Sequence, residues 1–195
     1  NLGGPLKLLN PAQFRSFCRN PQAAAILSKT IDFFEKRGKT KLKTDDHERL
    51  WYSEFLEFQK KEKIFSMLMT PMKYASDGSS WNTALICEFN EILGFYGLSY
   101  WYTWQVSMLG LCPIWMSQNE VIKKRTAELL ADGGIFAFGL SEKEHGADLY
   151  SSEMRLHEKK DGQFLANGRK YYIGNAKQAA LLSTFGKLSE KKGDL

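Results

Sequence analysis

The sequence lacks the paired cysteines from which metal and redox sites are built. Cys18, Cys87 and Cys112 lie far apart, no CxxC occurs, and their odd number argues against a disulfide scaffold, so a reducing compartment is the default. Also missing are GxGxxG, GxxxxGK, HExxH and any Ser/His/Asp order, which removes the common Rossmann, P-loop, zincin and hydrolase readings. Histidine is scarce. His47 sits in a charged helical stretch, His145 in a glycine-bounded loop and His157 on a polar strand face, and such scattered residues read as solvated surface and not as a metal cluster. No arginine-rich tract is present. The net charge of +5 comes from basic residues that alternate with acidic ones, as in Glu35-Lys36-Arg37 and Lys60-Lys61-Glu62-Lys63. That is a solvated surface with a lean toward anionic partners, and not a nucleic-acid footprint. There is no initial methionine and no basic-then-apolar leader, from which the expectation is a chain cut from something longer.

What is present is a chain of 195 residues, 43% apolar and 25% charged, the composition of a globular protein. One stretch, Ile92 to Asn119, has no charged residue and is followed by Lys123-Lys124-Arg125, a pattern that resembles a membrane span. Against a span stand Ser99, Thr103, Gln105, Ser107 and Ser117, the glycines, Pro113, and aromatic residues in the middle instead of at the ends. No transmembrane span is expected.

The first 134 residues read as helices. Asn10-Pro11 and Asn20-Pro21 each pair a capping side chain with a proline at the first helical position, where a missing amide costs nothing. The second helix carries Ile26, Leu27, Ile31 and Phe34 and ends at Gly38. Thr44 is expected to cap a third helix with Leu50, Trp51, Phe55 and Phe58. Then come Ile64–Met72 broken by Pro71, a turn at Asp77-Gly78, and a helix from about Trp81 to Leu93. Ser117 to Glu120 has the spacing of a capping box for a helix running to Ala131. From Ile135 the period changes to that of strands, with Asp161-Gly162 and Asn167-Gly168 as hairpin signals and Tyr171/Ile173 alternating with Lys170/Tyr172. The fold class is therefore α+β: a helical domain over 1–134 and an incomplete antiparallel β domain over 135–195.

Three blocks in register resemble the acyl-CoA dehydrogenase family. They are Ser107-Met108-Leu109-Gly110-Leu111-Cys112-Pro113-Ile114 with the following Asn119-Glu120 and Lys123-Lys124, the loop Ala137–Asp148, and Asn167-Gly168-Arg169-Lys170-Tyr171-Tyr172-Ile173-Gly174-Asn175-Ala176. The resemblance implies an N-terminal helical domain, a middle β domain, a C-terminal helical bundle absent from this chain, and a non-covalent FAD. Phe138, Leu140 and Ser141 would meet the pyrimidine edge of the flavin. Gly146 and Ala147 would approach the pyrophosphate and the CoA moiety, and Tyr172, with Ile173 and Gly174 beside it, would flank the ring. Three departures stand out: Gly174 where the family has Thr or Ser, Lys143 in place of Pro, and Ala147 in place of Ser.

Trp101, Trp104/Gln105 and Met108 share one helix face, which reads either as a buried core seam or, at Gln105 and Met108, as part of an acyl-chain wall. The resemblance implies α,β-dehydrogenation of an acyl-CoA thioester, an electron-transfer flavoprotein or similar acceptor, and a homo-oligomer. The compartment would be cytoplasmic in a bacterium and the mitochondrial matrix in a eukaryote. The catalytic base would be a carboxylate of the absent bundle, so no residue of this chain is assigned as catalytic, and the chain alone would be inactive. The alternatives are an acyl-CoA oxidase or flavin monooxygenase on the same fold, or a non-catalytic binding module.

Overall fold

A computed structural model of the chain describes residues 8–17, 19–75 and 81–188. Cys18 and the Asp77-Gly78 turn lie outside the described residues. The chain divides into two compact units: residues up to Tyr102 with Ala127–Gly133, and Thr103–Thr126 with the residues from Gly134 onward.

In the first unit, α1 (Pro21–Arg37) begins as its sequence dictates. The Asn20 side chain accepts hydrogen bonds from the Gln22 and Ala23 amides, and the helix ends at Gly38, whose φ of 76° suits a residue without Cβ. Its buried stripe, Ala23, Ile26, Leu27, Ile31 and Phe34, packs on α5 (Thr83–Tyr96). Phe34 is the hub of an aromatic core, stacked on Tyr96 at 4.7 Å between centroids and edge-on to Tyr100 at 5.0 Å. The Asn10 cap also forms, although the helix it opens is only a 3-10 turn, Pro11–Gln13.

Thr44 is not a helix cap. It lies inside α2 (Lys39–His47), with its hydroxyl donating to the Thr40 carbonyl, and the run expected after it breaks at Arg49, at φ 55°, before α3 (Ser53–Lys61). Helix α2 has little apolar periodicity; it is held by the buried Asp45, which accepts from Arg37 and is ion-paired with Lys41 at 2.7 Å. Helix α4 (Ile64–Met69) stops before Pro71, as expected.

Helix α6 (Leu98–Met116) contains Pro113 within its last turn, and α7 spans Glu120–Ala131. The α7 cap is Asn119, whose side-chain oxygen accepts from the Val121 and Ile122 amides at 3.1 Å each. Ser117 is not the cap that the box spacing suggests, because its hydroxyl closes the end of α6 on the Ile114 carbonyl at 2.8 Å. Among the described residues no helix is long and apolar enough to cross a membrane.

In the second unit, β1 (Phe136–Gly139) pairs with β4 (Leu181–Thr184), and β2 (Arg155–Glu158) pairs antiparallel with β3 (Phe164–Asn167) through the expected Asp161-Gly162 turn. The α+β class holds, but β1 and β4 are parallel. Asn167-Gly168 does not open a hairpin. Residues 168–180 form no strand, and Tyr172 and Asn175 both adopt left-handed backbone, at φ 57° and 61°. Alternation between Lys170 and Ile173 therefore reports no strand. This segment is fastened by side-chain bonds and isolated backbone bonds instead of a ladder.

Gly110 lets α6 approach β1. A Cβ there would lie 2.5 Å from the Ala137 carbonyl oxygen and 2.8 Å from its amide nitrogen, and backbone cannot yield cheaply. Gly110→Ala is expected to destabilise the fold by about 2 kcal/mol or more, lowering the thermal midpoint by several degrees on circular dichroism. An unchanged midpoint would show that the helix and strand can separate freely.

Candidate functional site

The loop after β1 is built around Glu142. Its backbone closes a small turn, the Glu142 amide donating to the His145 carbonyl at 2.7 Å and the His145 amide donating back at 3.3 Å. Its carboxylate accepts from Lys170 Nζ at 2.8 Å, the Ser152 hydroxyl at 2.7 Å, the Glu153 amide at 2.6 Å and the Met154 amide at 3.0 Å. Both side chains of the Glu142–Lys170 pair are less than a tenth exposed. Burial pushes the Glu142 carboxyl up, but Lys170 and the other donors outweigh it and hold the group at about 2. Lys170 also donates to the Leu140 carbonyl at 2.9 Å and lies over the Phe185 ring.

Ser141 and Tyr171 are joined twice. The Tyr171 amide donates to the Ser141 carbonyl at 2.9 Å, and the Ser141 hydroxyl donates to the Tyr171 carbonyl at 2.7 Å. The hydroxyl proton is thus spent internally, and toward a ligand Ser141 acts as an acceptor. Asn175 supplies the third fastening: its side-chain amide donates to the carbonyls of Thr103 at 2.9 Å and Phe136 at 3.0 Å and to the Ser107 hydroxyl at 3.3 Å. All four residues are buried.

These bonds bring the loop 140–148, the segment 170–175 and α6 together. Of the residues expected to form a site, Phe138, Leu140 and Ser141 are half-buried, Gly146 and Ala147 are exposed, and Ile173 and Gly174 are half-buried. Tyr172 is 84% exposed, its ring presented to solvent by the left-handed backbone and not by a strand. The expected register, with Tyr172 on one strand face and Tyr171 and Ile173 on the other, does not exist. Nothing lies within 4 Å of a Cβ built at Gly146, so the loop tip is open. On α6, Gln105 and Met108 are half-buried, whereas Trp104 is fully buried and belongs to the core. They occupy the same helix turns as Thr103 and Ser107, which Asn175 grips.

Asn175 and the Glu142–Lys170 pair are organisers that sequence reasoning missed. One signal for the first was available: Thr103 and Ser107, four apart on an uncharged helix, are a polar pair without a solvent-facing reason. Glu142, His145 and Glu153 each offer an atom within 4.8 Å of the others, but the Glu142 oxygens are already taken by Lys170 and by backbone amides.

No family model matches the chain. Over 123 residues it is 29% identical to the mitochondrial isovaleryl-CoA dehydrogenase of Bos taurus, a match that covers 62% of this chain and 28% of that protein. Butyryl-CoA dehydrogenase from Megasphaera elsdenii superposes with a TM-score of 0.76 at 24% identity, over 91% of this chain and 47% of that one. An acyl-CoA dehydrogenase from Bacillus anthracis, complexed with FAD, superposes with a TM-score of 0.68 at 22% identity, over 96% and 31%. The chain thus shares the fold of these two solved structures, and its sequence likeness is to an acyl-CoA dehydrogenase. It spans less than half the length of each of them.

Proposed function

We propose that this chain forms part of the flavin and acyl-CoA site of an FAD-dependent acyl-CoA dehydrogenase, which removes hydrogens from Cα and Cβ of an acyl thioester. The observation that carries the reading is a rigidly anchored loop whose tip is open. Buried Glu142 and Lys170 fix residues 140–142, while Gly146 and Ala147 stay exposed and uncrowded. Such a tip suits a pyrophosphate, which needs close backbone approach. Ser141 and Tyr172 suit a ring, one as an acceptor at its edge and one as an aromatic face.

FAD bound there would supply the hydride acceptor. The part of this chain is to hold and orient: Phe138, Leu140 and Ser141 at the ring edge, Tyr172 with Ile173 and Gly174 along its face, Gly146 and Ala147 at the phosphates, and Gln105 and Met108 beside the acyl chain. Glu142 is not the base that takes the α-proton, because a carboxyl held at about 2 and already bonded to Lys170 is a weak base. In this reading residues 1–134 are the helical domain and 135–195 the start of the β domain. The complete enzyme is a homo-oligomer that passes electrons to an electron-transfer flavoprotein or similar acceptor.

Purifying the protein at its natural length tests this: flavin absorbance that bleaches when acyl-CoA is added supports the assignment, and a colourless protein refutes it. Gly174, which has no hydroxyl to offer, favours an oxidase or flavin monooxygenase as the second reading. Fast reaction of the reduced flavin with oxygen would select it. Ser141→Ala in that protein is expected to weaken FAD binding about fivefold, the worth of about one neutral hydrogen bond. Equal affinity and potential would remove Ser141 from the site.

A further inference from the structure

His145 stands where the sequence alone offers only a solvated side chain, yet it is the most tied residue of the loop tip. Its Nδ1 lies 2.9 Å from Asp148 Oδ2, its Nε2 lies 3.7 Å from Glu153 Oε1, and its amide and carbonyl both bond to the Glu142 backbone. The imidazole therefore bridges the two ends of the segment 145–153, with Gly146 and Ala147 held between its anchors. Other charges around it are Glu142, which is neutralised by Lys170, and the neighbouring Lys143 and Glu144, which face each other at 3.6 Å. Both groups that meet the ring nitrogens are acidic.

We propose that His145 is a positioning residue of this loop: as an imidazolium it clamps Asp148 and Glu153 and keeps Gly146 and Ala147 in the open geometry that a pyrophosphate-bearing ligand requires, and on losing its proton it releases them. The proposal rests on the flavin reading for the identity of the ligand, but not for the clamp. The ring hydrogen-bonds to Asp148 and attracts Glu153 only through charge, across 3.7 Å. A neutral ring can keep a hydrogen bond to Asp148, but Asp148 and Glu153 then lose the cation between them. The Asp148 hydrogen bond raises the His145 pKa above the ordinary imidazole value, and Asp148 is lowered in turn by His145. For a group whose folded value is raised, the stabilisation is full below about pH 6.5 and disappears as pH rises through the folded value. The loop should thus loosen as pH rises through that raised value.

Nuclear magnetic resonance on the 195-residue chain tests the clamp without any ligand. The His145 ring is expected to titrate above its ordinary value, and Asp148→Asn to bring it back. Amide exchange at Leu149 and Ser151, whose amides donate to the Ala147 and Asp148 carbonyls, compared with His145→Gln at each pH, is expected to be about threefold slower in the wild type near pH 5.5, with the ratio shrinking toward one above the His145 titration. A ratio that is near one throughout, or that does not change with pH, overturns the clamp. FAD keeps the charge of its pyrophosphate over this range, so it serves as the ligand probe for the protein at natural length. Affinity that falls with rising pH in the wild type but not in His145→Gln supports the link to the ligand, and identical pH profiles overturn that link. If the clamp is seen but FAD does not bind at any pH, the flavin reading fails and the clamp stands.

Discussion

Replacing Lys170 with methionine is expected to lower the unfolding free energy by about 3 to 5 kcal/mol, the largest effect of any single substitution in the candidate site. The cause is not the loss of an attraction between two surface charges. Glu142 is buried and keeps its Ser152 and backbone donors in the variant, but its charge loses the cation that balances it. Two measurements separate this from a general packing defect. The double variant Lys170→Met/Glu142→Gln removes the stranded charge and should recover much of the loss in urea unfolding. The acid profile should also move. In the wild type the folded Glu142 carboxyl is held at about 2 against an ordinary value of 4.5, so its contribution is complete above pH 4.5 and is lost as pH falls toward 2. A shift of that size corresponds to at most about 3 kcal/mol, and solvent screening lowers the figure. In Lys170→Met the carboxyl rises, and the acid loss should begin at higher pH or disappear into an already weakened baseline. Equal urea midpoints and superimposable acid profiles for wild type and variant would show that the pair does not anchor the loop.

The polypeptide of residues 1–195, taken by itself, is expected to bind FAD thousands of times more weakly than the protein at the length of its relatives. The chain spans 47% of butyryl-CoA dehydrogenase and 31% of the FAD-bound acyl-CoA dehydrogenase that it superposes on. Within the chain, the proposed ring contact Tyr172 is 84% exposed and Gly146 and Ala147 are open, so a cofactor seated there would have one face covered. Losing even about 200 Å² of apolar contact costs roughly 5 kcal/mol, near four decades of affinity. Calorimetric titration of FAD into the purified polypeptide checks this. Stoichiometric binding with a submicromolar dissociation constant would mean that these residues complete the site by themselves, and the shared-site picture would be wrong.

The two halves of the chain differ in how far their sequence could be read, and the reason is the range of the interactions that form them. Local chemistry determined much of the helical part: Asn20 with Pro21 starts α1, Gly38 ends it, Pro71 limits α4, and the period of Ile26, Leu27, Ile31 and Phe34 marks the buried face. The Asp161-Gly162 turn between β2 and β3 belongs to the same class, since two adjacent residues suffice to set it. Where two local solutions competed, tertiary contacts chose. Thr44 could have capped a helix, but the ion pairs of Asp45 hold it inside α2; Ser117 could have capped α7, but Asn119 reaches two amides while Ser117 closes α6.

The site region shows the limit most clearly. From sequence alone came a proposed set of residues for a cofactor to meet, through three blocks whose order and spacing resemble a family. The conformation of 168–175 did not follow, because alternation of Lys170, Tyr171, Tyr172 and Ile173 satisfies a strand pattern while Asn175 donates three hydrogen bonds to residues 39 to 72 positions away. No periodicity encodes such a node. Likewise Lys170 and Glu142 are 28 residues apart, and each alone reads as a surface charge. Burial turned them into an anchor, since a charge removed from water must find its partner within the protein. Composition, caps and turns thus determined most of the helices and the β2–β3 turn, and the tertiary structure decided the conformation of 168–180, which polar side chains are buried, what they grip, and which loop is left open.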